Sequence, residues 1–377
     1  MNRIYLDHAA TSPVHPEVVE AFAGALGTVY GNPSSIHSSG RTARKALDDA
    51  RRVFAESINA GDAEIIITSG GTEADNLAIF GTAAKKQGKH IITSAIEHHA
   101  VLHACAKLER EGYEVTYLPV DVNGRVEAED VKKALRDDTI LVTVMLGNNE
   151  VGTMQPIAEI GELLKGTDVT FHTDAVQAYG ILPIDVETLN VDLLSVSAHK
   201  LNGPKGIGFL YQRKGTQLAP QLIGGEQERK RRAGTENVPG VIAFAKAVAI
   251  SLEEKEEKWA LYNGFKEMFK AILEGEGVNF YENGSHQMPH ILNLSIPGID
   301  IESFLVNLDL AGISASSGSA CTAGSIDPSH VLVAMYGEKA EQSRNSIRFS
   351  FGIGLTEQDI IQAAEKTAQI SKRLALK

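Results

Sequence analysis

A lysine at the end of an apolar run is the first residue of this sequence whose position suggests chemistry. Lys200 ends the run Ser195-Val-Ser-Ala-His-Lys200 and is followed by a glycine-rich turn that extends to Gly208. Desolvation lowers the pKa of a lysine that emerges beside a buried sheet, and the free amine can then attack an aldehyde. An ordinary surface lysine is the alternative that this segment alone leaves open.

Two further segments could hold an anion and an aromatic nitrogen. Ser69–Asn76 lies between a strand pattern and a helical pattern, where free backbone N–H groups and the helix dipole favour an anion. It lacks the Gly-Lys-Ser/Thr ending of a P-loop, and the chain contains no G-x-G-x-x-G, which disfavours nucleotide binding. Asp174 follows a buried strand pattern, where its carboxylate could pair with a pyridinium nitrogen. The structural alternatives are a glycine turn for the first segment and a helix-capping aspartate for the second.

A thiol and a guanidinium group lie in the C-terminal part of the sequence. Cys321 is at the centre of a run of small residues, 314–325, which we expect to form a mobile loop. A thiol in such a loop could attack a bound substrate and then present the product elsewhere, although a small buried cysteine is the alternative. Arg348, within a strand-like alternation, is suited to bidentate capture of a carboxylate or to a structural ion pair.

Three histidines follow one another in Glu97–His103. His99 and His103 are four residues apart and could share a helix face, but no H-E-x-x-H pattern or cysteine pair supports zinc, and we predict no metal site. The interpretation that we favour is that His98 stacks on a planar cofactor. Only Cys105 and Cys321 are present, which excludes a disulfide framework and leaves any cysteine chemistry to a lone thiol.

The elements that position these residues follow from the hydrophobic pattern. Short β-branched runs alternate with helical patterns, and their lack of polar faces indicates strands buried between helix layers in a mainly parallel sheet. The runs are 64–68, 90–94, 139–145, 169–173, 193–197 and 207–211. Before the first run, Leu47, Ala50, Phe54 and Ile58 form an apolar stripe at helical spacing.

The residue composition of the sequence changes near Pro239, where a long helical stretch rich in Ala, Glu and Lys begins and continues to about Glu274. We interpret it as the connection to a second, smaller α+β domain. This domain would contain strands at 290–296 and 346–351, the loop around Cys321 and a C-terminal helix.

Composition restricts the class of protein. The chain has 377 residues, of which 43% are hydrophobic. Its formal charge is -12, and this negative charge opposes direct binding to nucleic acids or anionic membranes. The short basic run Glu228–Arg232 is best explained as a solvated or phosphate-facing loop. The N-terminal residues have no continuous apolar h-region and the chain has no stretch of about 18 apolar residues, so we expect a cytoplasmic protein.

Taken together, these segments resemble the cysteine desulfurases of the NifS/IscS type, within the class V aminotransferase group of fold-type I pyridoxal-phosphate (PLP) enzymes. The similarity extends nearly from end to end. Its most specific segments are Tyr5–Thr11, Gly31–Ser35, Ser69–Glu73, Asn148–Glu150, Thr173–Ala175, Ser197–Lys200, Arg232–Thr235 and Ser317–Cys321, in family order.

The resemblance implies an α/β fold. It implies a large PLP-binding domain with a mainly parallel sheet of the seven-stranded type between helices, over 15–255, and a smaller α+β domain. The smaller domain is expected to comprise 1–14 and 256–377 and to carry the mobile cysteine loop at about 314–325.

The resemblance also implies roles for individual residues. Lys200 resembles the lysine that bonds to the cofactor, Asp174 the partner of its pyridinium nitrogen and Gln177 the contact to its ring hydroxyl, while His98 stacks on the ring and serves as an acid–base group. The residues expected around the phosphate are Thr72, Ser197, His199 and, from the neighbouring subunit of a homodimer, Thr235. Asn149 is expected to contact both cofactor and substrate, Arg348 to bind the substrate carboxylate and Cys321 to accept the sulfur as a persulfide.

The implied function is conversion of L-cysteine to L-alanine, with delivery of the sulfur to a protein acceptor. That acceptor would be an iron–sulfur scaffold or a tRNA-thiolating enzyme. Two alternatives stay open at this point. One is another PLP enzyme of the same fold, an aminotransferase or a selenocysteine lyase, and the other is a non-catalytic sulfur-relay scaffold.

Overall fold

The computed structural model describes residues 3–318 and 328–375. Its strands are β1 (Ile4–Tyr5), β2 (Ile65–Thr68), β3 (His90–Ser94), β4 (Glu114–Leu118), β5 (Thr139–Thr143), β6 (Thr170–Asp174), β7 (Leu193–Ser197), β8 (Gly208–Gln212), β9 (Tyr281–Glu282), β10 (Ile291–Ser295), β11 (Ile313–Ser314) and β12 (Ser346–Ser350).

Helices account for most of the remaining described chain. They are α1 (Pro16–Thr28), α2 (Ser38–Glu56), α3 (Gly71–Ala83), α4 (His99–Arg110), α5 (Ala128–Ala134), α6 (Ile157–Leu164), α7 (Val186–Leu189), α8 (Gln227–Lys230), α9 (Val238–Glu253), α10 (Lys255–Gly275), α11 (Ile301–Leu310), α12 (His330–Tyr336), α13 (Gln342–Asn345) and α14 (Glu357–Ala375). Short 3-10 turns span Asp62–Glu64 and Ala198–Lys200.

The central sheet has seven strands in the order β2-β8-β7-β6-β5-β3-β4. Strands β4, β3, β5, β6 and β7 pair in parallel, whereas β8 is antiparallel to both β7 and β2. The six predicted runs all form strands of this sheet, and the mainly parallel α/β fold is confirmed. The sequence analysis missed β4, an edge strand in which only Leu118 is buried.

Helices pack against the sheet in the way that the apolar stripe predicts. Leu47, Ala50 and Phe54 are buried on α2, and Ile58, just beyond the end of that helix, is buried with them. Phe54 packs on Phe209 of β8, with ring centroids 5.3 Å apart. This packing holds the face of the sheet rigid below the strand ends where the candidate site lies.

A second hydrophobic cluster surrounds a three-stranded antiparallel sheet in the order β12-β10-β9. Phe269 of α10 packs on Phe349 of β12, with ring centroids 4.6 Å apart. The predicted long helical stretch is two helices, α9 and α10, with a break at Glu254. Apolar residues of α9 belong to the first cluster and those of α10 to the second, while the domain boundary at residue 255 stays a prediction.

The N-terminal segment connects the two clusters. Strand β1 pairs in parallel with β11, so that Ile4 lies opposite Ile313, and Asp7 forms a bridge to Ser350. Ile4 and Leu6 are buried in the second cluster, whereas Ala9 is buried in the first. The residues that follow β1 therefore pass directly over the carboxyl ends of the central strands.

Candidate active site

A cavity of about 420 Å³ lies at the carboxyl ends of the parallel strands. This is the edge of an open α/β sheet at which ligands bind, because loops from several neighbouring strands meet there. The cavity brings together nine of the predicted site residues: Thr72, His98, Asn149, Asp174, Gln177, Ser197, His199, Lys200 and Arg348. Their individual roles stay predictions.

Lys200 lies in the short 3-10 turn after β7, with its amine against the backbone of the N-terminal segment. Its Nζ donates hydrogen bonds to the carbonyl oxygens of Ala9 and Ala10, the latter at 2.9 Å. Burial, together with the nearby charge of Arg348, lowers the pKa of Lys200 to about 8. The neutral, nucleophilic form of this amine is therefore far more populated near neutral pH than that of an ordinary lysine.

Asp174 is the last residue of β6 and is almost fully buried. Its Oδ1 accepts a hydrogen bond from the Val176 N–H at 2.8 Å. Burial raises the pKa of Asp174 to about 6, while the Val176 N–H and the charge of Lys200 act in the opposite direction. This carboxylate is thus poorly solvated and suited to a cationic N–H partner in the cavity.

The start of α3 forms an anion cup, which we define as the first turn of α3 together with Thr72, Ser197 and His199. Gly70 precedes the helix with φ 147°, a conformation that side chains rarely adopt. A Cβ on Gly71 would approach Val176 Cγ2 to 2.7 Å, so glycine keeps this turn close to the sheet. The first N–H groups of the helix and its dipole can then stabilise a phosphate.

Histidines surround the mouth of the cavity. His98 Nδ1 accepts a hydrogen bond from the Ala100 N–H at 3.1 Å and caps α4. The His98 ring is accessible from the cavity. Desolvation by the surrounding protein, followed by the charge of Lys200, lowers the pKa of His98 to about 4. His99 and His103 do share a helix face, with rings stacked 5.0 Å apart. Within residues 3–318 and 328–375, no group of three or more His, Cys, Asp or Glu side chains is arranged to hold a metal ion.

Gln177 and His199 connect the cavity wall to the N-terminal segment. Gln177 Nε2 donates to the Ala9 carbonyl oxygen at 3.0 Å, and His199 Nδ1 lies 3.1 Å from Thr11 Oγ1. Burial and the charge of Lys200 lower the pKa of His199 to about 4. The segment around Ala9 therefore fixes three side chains of the site at once.

Arg348 of β12 is nearly buried and is held at two points. Its Nη1 donates to the Asn149 carbonyl oxygen and its Nη2 to Asp7 Oδ1, both at 2.8 Å. The Nε of Arg348 is buried without a hydrogen-bond partner among the described residues. An oriented guanidinium with an unused donor is suited to a carboxylate ligand.

Two predicted site residues are not in this cavity. Thr235 lines a separate, smaller cavity of about 150 Å³ beside Thr68 and Ser69. Cys321 and most of the loop predicted at 314–325 lie outside the described residues. The described chain on either side of it does reach the site, because Ser316, Gly318 and His330 line the cavity.

The segment before Thr235 has an unusual backbone. Glu228, Arg229 and Lys230 all have left-handed φ values, between 46° and 67°. Arg51 stabilises this segment through a buried bidentate ion pair with Glu228, at 2.7 and 2.9 Å. Arg232 then pairs with Glu73, in the first turn of α3, at 2.7 Å. These contacts oppose the prediction that the basic run is a solvated loop, since Arg231 and Arg232 are partly buried.

The sequence analysis missed several residues of the site. Asp75 and Glu150 line the cavity and are almost fully buried, and Asp7 holds Arg348. Glu150 belongs to a segment that the resemblance had already singled out, and Asp75 is three residues beyond Thr72 on α3, so helical spacing could have indicated it. Nothing local in the sequence indicates the contact of Asp7.

Comparison with known proteins gives a consistent result. The aminotransferase class-V family profile matches residues 4–362. A protein of Bacillus subtilis (strain 168) named "Putative cysteine desulfurase IscS 1" is 60% identical over 99% of this chain and 100% of its own length. A solved structure titled "NIFS-LIKE PROTEIN" has a TM-score of 0.92 and 34% identity, covering 99% of this chain and 100% of the other. Another, titled "SspA in complex with cysteine", has a TM-score of 0.80 and 35% identity, covering 92% and 98%.

Proposed function

The chain belongs to the class-V aminotransferase family and, within it, to the cysteine desulfurases of the NifS/IscS type, and from this premise we propose that Lys200 holds its PLP and that Cys321 receives the sulfur. The enzyme removes sulfur from L-cysteine. The observation that carries the proposal for Lys200 is its half-buried amine, with a pKa of about 8, in the same cavity as the anion cup and Asp174.

The residues of the cavity fit PLP. Lys200 offers an amine for the aldehyde, the anion cup offers donors for the phosphate, and Asp174 offers a buried carboxylate for the pyridinium N–H. When bound, PLP supplies an electron sink for the negative charge that develops at the substrate Cα. His98 and Gln177 would contact the ring face and the ring hydroxyl.

Substrate binding is assigned to Arg348 and Asn149. The guanidinium is fixed by Asp7 and by the Asn149 carbonyl, and its buried Nε has no partner among the described residues. Because Arg348 lines the cavity, its guanidinium group could donate hydrogen bonds to a carboxylate bound there. The zwitterionic end of L-cysteine would then lie beside Lys200.

Proton transfer is assigned to Lys200, with His98 in support. A lysine with a pKa of about 8 can accept a proton and return it near neutral pH, since this pKa lies much closer to the working pH than that of an ordinary lysine. His98 is neutral at that pH, because the pKa of its ring is about 4, and can therefore accept a proton but holds it weakly. Both side chains face the same cavity.

Sulfur transfer is assigned to Cys321. Its thiolate attacks the substrate sulfur, an S–S bond forms and the Cβ–S bond breaks. The electron pair of the broken bond stays on Cβ and ends in a C–H bond of L-alanine, so that one thiol and L-cysteine give one persulfide and L-alanine. Gly318, on the cavity wall, precedes Cys321 by three residues, and that length of chain spans at most about 11 Å.

The enzyme passes its sulfur to an acceptor, and we propose that this acceptor is a protein, either an iron–sulfur scaffold or a tRNA-thiolating enzyme.

We also propose a homodimer. Thr235 lies outside the cavity of its own chain, and the large apolar side chains of Ile36 and Ile223 are 91% and 86% exposed.

A cytoplasmic location is proposed because a nucleophilic thiol must stay reduced. Among the described helices, none is long and apolar enough to cross a bilayer.

The deciding experiment is to incubate the PLP-loaded protein with L-cysteine and a reductant and to quantify alanine and sulfide. Equal amounts of both are expected, and Cys321→Ser should lose both while keeping the absorbance of bound PLP. Cys105→Ser is the matched control, since Cys105 is fully buried and burial raises the pKa of its thiol to about 12. Lys200→Ala should lose the absorbance itself. A persulfide that persists in Cys321→Ser would refute the assignment of Cys321.

A further inference from the structure

Asp75 is a buried carboxyl group that the proposed mechanism does not use. It lies on α3, one turn beyond the anion cup, and its side chain is only 1% exposed. It lines the same cavity as Asp174. Its Oδ1 is buried and has no hydrogen-bond partner among the described residues. An ionised carboxylate would be costly in this position, because each of its oxygens needs hydrogen-bond donors.

Among the described residues, no lysine or arginine forms an ion pair with Asp75. The nearest basic side chain is His172 of β6, whose Nε2 lies 3.6 Å from Asp75 Oδ1, beyond hydrogen-bonding distance. His172 is itself held between Ser195 Oγ at 2.9 Å and Thr143 Oγ1 at 2.8 Å. Burial lowers the pKa of His172 to about 3, so this imidazole is neutral.

The acidic groups that face Asp75 are Asp174 of β6 and Glu97 of the segment before α4. Burial and then the charge of Asp174 raise the pKa of Asp75 well above its ordinary value, although a hydrogen bond with the Ser195 side chain acts in the opposite direction. Burial also raises the pKa of Glu97 to about 8. Burial raises the pKa of Asp174 only to about 6, because the hydrogen bond from the Val176 N–H and the charge of Lys200 act in the opposite direction. When carboxyl groups share a buried site, the one beside a cation keeps the charge and the others keep protons.

This arrangement deepens the proposed function and rests on the proposed role of Asp174. We propose that Asp75 is a positioning residue that keeps its proton throughout the working pH range, so that Asp174, and not Asp75, would carry the negative charge that faces the pyridinium N–H. A second anion at Asp75 would repel Asp174 and would offer the proton of the ring nitrogen a competing site. The neutral Asp75 and the neutral His172 instead add no charge near Asp174.

Infrared difference spectroscopy tests the protonation of Asp75 directly. Asp75→Asn replaces a neutral acid by a neutral amide of the same shape, so the variant should keep the thermal stability of the wild type. Subtraction of the variant from the wild type at neutral pH should show the C=O band of one protonated carboxyl group. Loss of carboxylate bands instead would overturn the proposal. This measurement needs no cofactor and still decides the matter if the protein binds no PLP, an outcome that would refute the proposed function.

The absorbance of bound PLP, followed against pH in the holoenzyme, tests the consequence for the site. The midpoint of its pH-dependent change should move by less than about 0.3 pH unit in Asp75→Asn, because no charge is removed. A fall of this midpoint by about one pH unit or more would mean that Asp75 is an anion in the wild type, since a shift of that size requires the loss of a negative charge close to the cofactor. Asp137→Asn, at an exposed acid remote from the cavity, is the matched control. Asp174→Asn should shift the midpoint or weaken PLP retention.

Discussion

Arg348 Nη2 donates a hydrogen bond to Asp7 Oδ1 at 2.8 Å, although the two residues are 341 positions apart in the sequence. The arginine side chain is 4% exposed and the aspartate 22%. The contact has two effects on the site. It fixes the plane of the guanidinium, and it holds this group at the wall of the cavity.

Asp7→Asn should therefore weaken the binding of L-cysteine more than it slows turnover. The neutral amide keeps the shape but loses the charge-assisted hydrogen bond, and an interaction of about 1.5–3 kcal/mol corresponds to a KM raised about tenfold or more. Steady-state kinetics with the PLP-loaded variant measures both constants. Asp309→Asn is the control, because Asp309 pairs with Arg3 on the exposed surface. An unchanged or lower KM would show that Asp7 does not position Arg348.

Arg348→Lys tests the carboxylate site itself. Lysine keeps the charge but cannot offer the planar fork of donors, and removal of one partner from a buried charged pair costs several kcal/mol. We expect kcat/KM for L-cysteine to fall about 100-fold. Absorbance of bound PLP should be retained, which would separate a substrate defect from loss of the cofactor. A variant with normal kinetics would require another residue to bind the carboxylate.

Glu228→Gln should strongly destabilise the folded protein. The Arg51 and Glu228 side chains are 7% and 2% exposed, and the amide would leave the buried guanidinium without a counter-charge. Breaking such a pair costs about 3–5 kcal/mol in the free energy of unfolding. Arg44→Gln, which breaks the exposed Arg44–Asp48 pair, should cost less than about 0.5 kcal/mol. Chemical denaturation of both variants measures the difference, and equal effects would contradict the importance of the buried pair.

His8 should make the protein sensitive to acid. Burial lowers the pKa of His8 from 6.5 to about 4, so the unfolded chain binds a proton between these values that the folded chain does not. The stability contributed by the neutral ring is present above pH 6.5 and is lost as the pH falls towards 4. One such residue accounts for about 3 kcal/mol.

The melting temperature measured between pH 7 and 4 should therefore fall less steeply in His8→Asn than in the wild type. His286→Asn, at an exposed histidine, should leave the slope unchanged. If His8→Asn has the wild-type slope, His8 is not the source of the acid sensitivity.

The sequence alone predicted the parts of the fold that depend on local pattern. The buried strands are continuous β-branched runs and were found, whereas β4 mixes exposed Glu114 and Tyr117 with a single buried Leu118 and was missed. The cavity was predictable because most of its residues follow strand ends, which meet at one edge of a parallel sheet.

Other features of the site arise only from tertiary structure. Asp7 and Arg348 meet because β1 pairs with β11 and Asp7 forms a bridge to Ser350. No periodicity in the sequence indicates this contact. The burial of Asp75 likewise depends on β6 and β7 packing against α3. The roles of Thr235 and Cys321 stay predictions, the first because it lies outside this cavity and the second because it lies outside the described residues.

The passage of the N-terminal segment over the strand ends has a consequence for biosynthesis. Asp7 leaves the ribosome early, but Arg348 follows 341 residues later, which at about 5–20 residues per second is a delay of roughly tens of seconds. Over the last 148 residues of that interval the nascent chain already contains Lys200, whereas the guanidinium proposed to select the substrate has not yet been made. Translation therefore completes the proposed carboxylate site last, and a chain truncated before Arg348 would carry the lysine proposed to bind PLP without the guanidinium proposed to select the substrate.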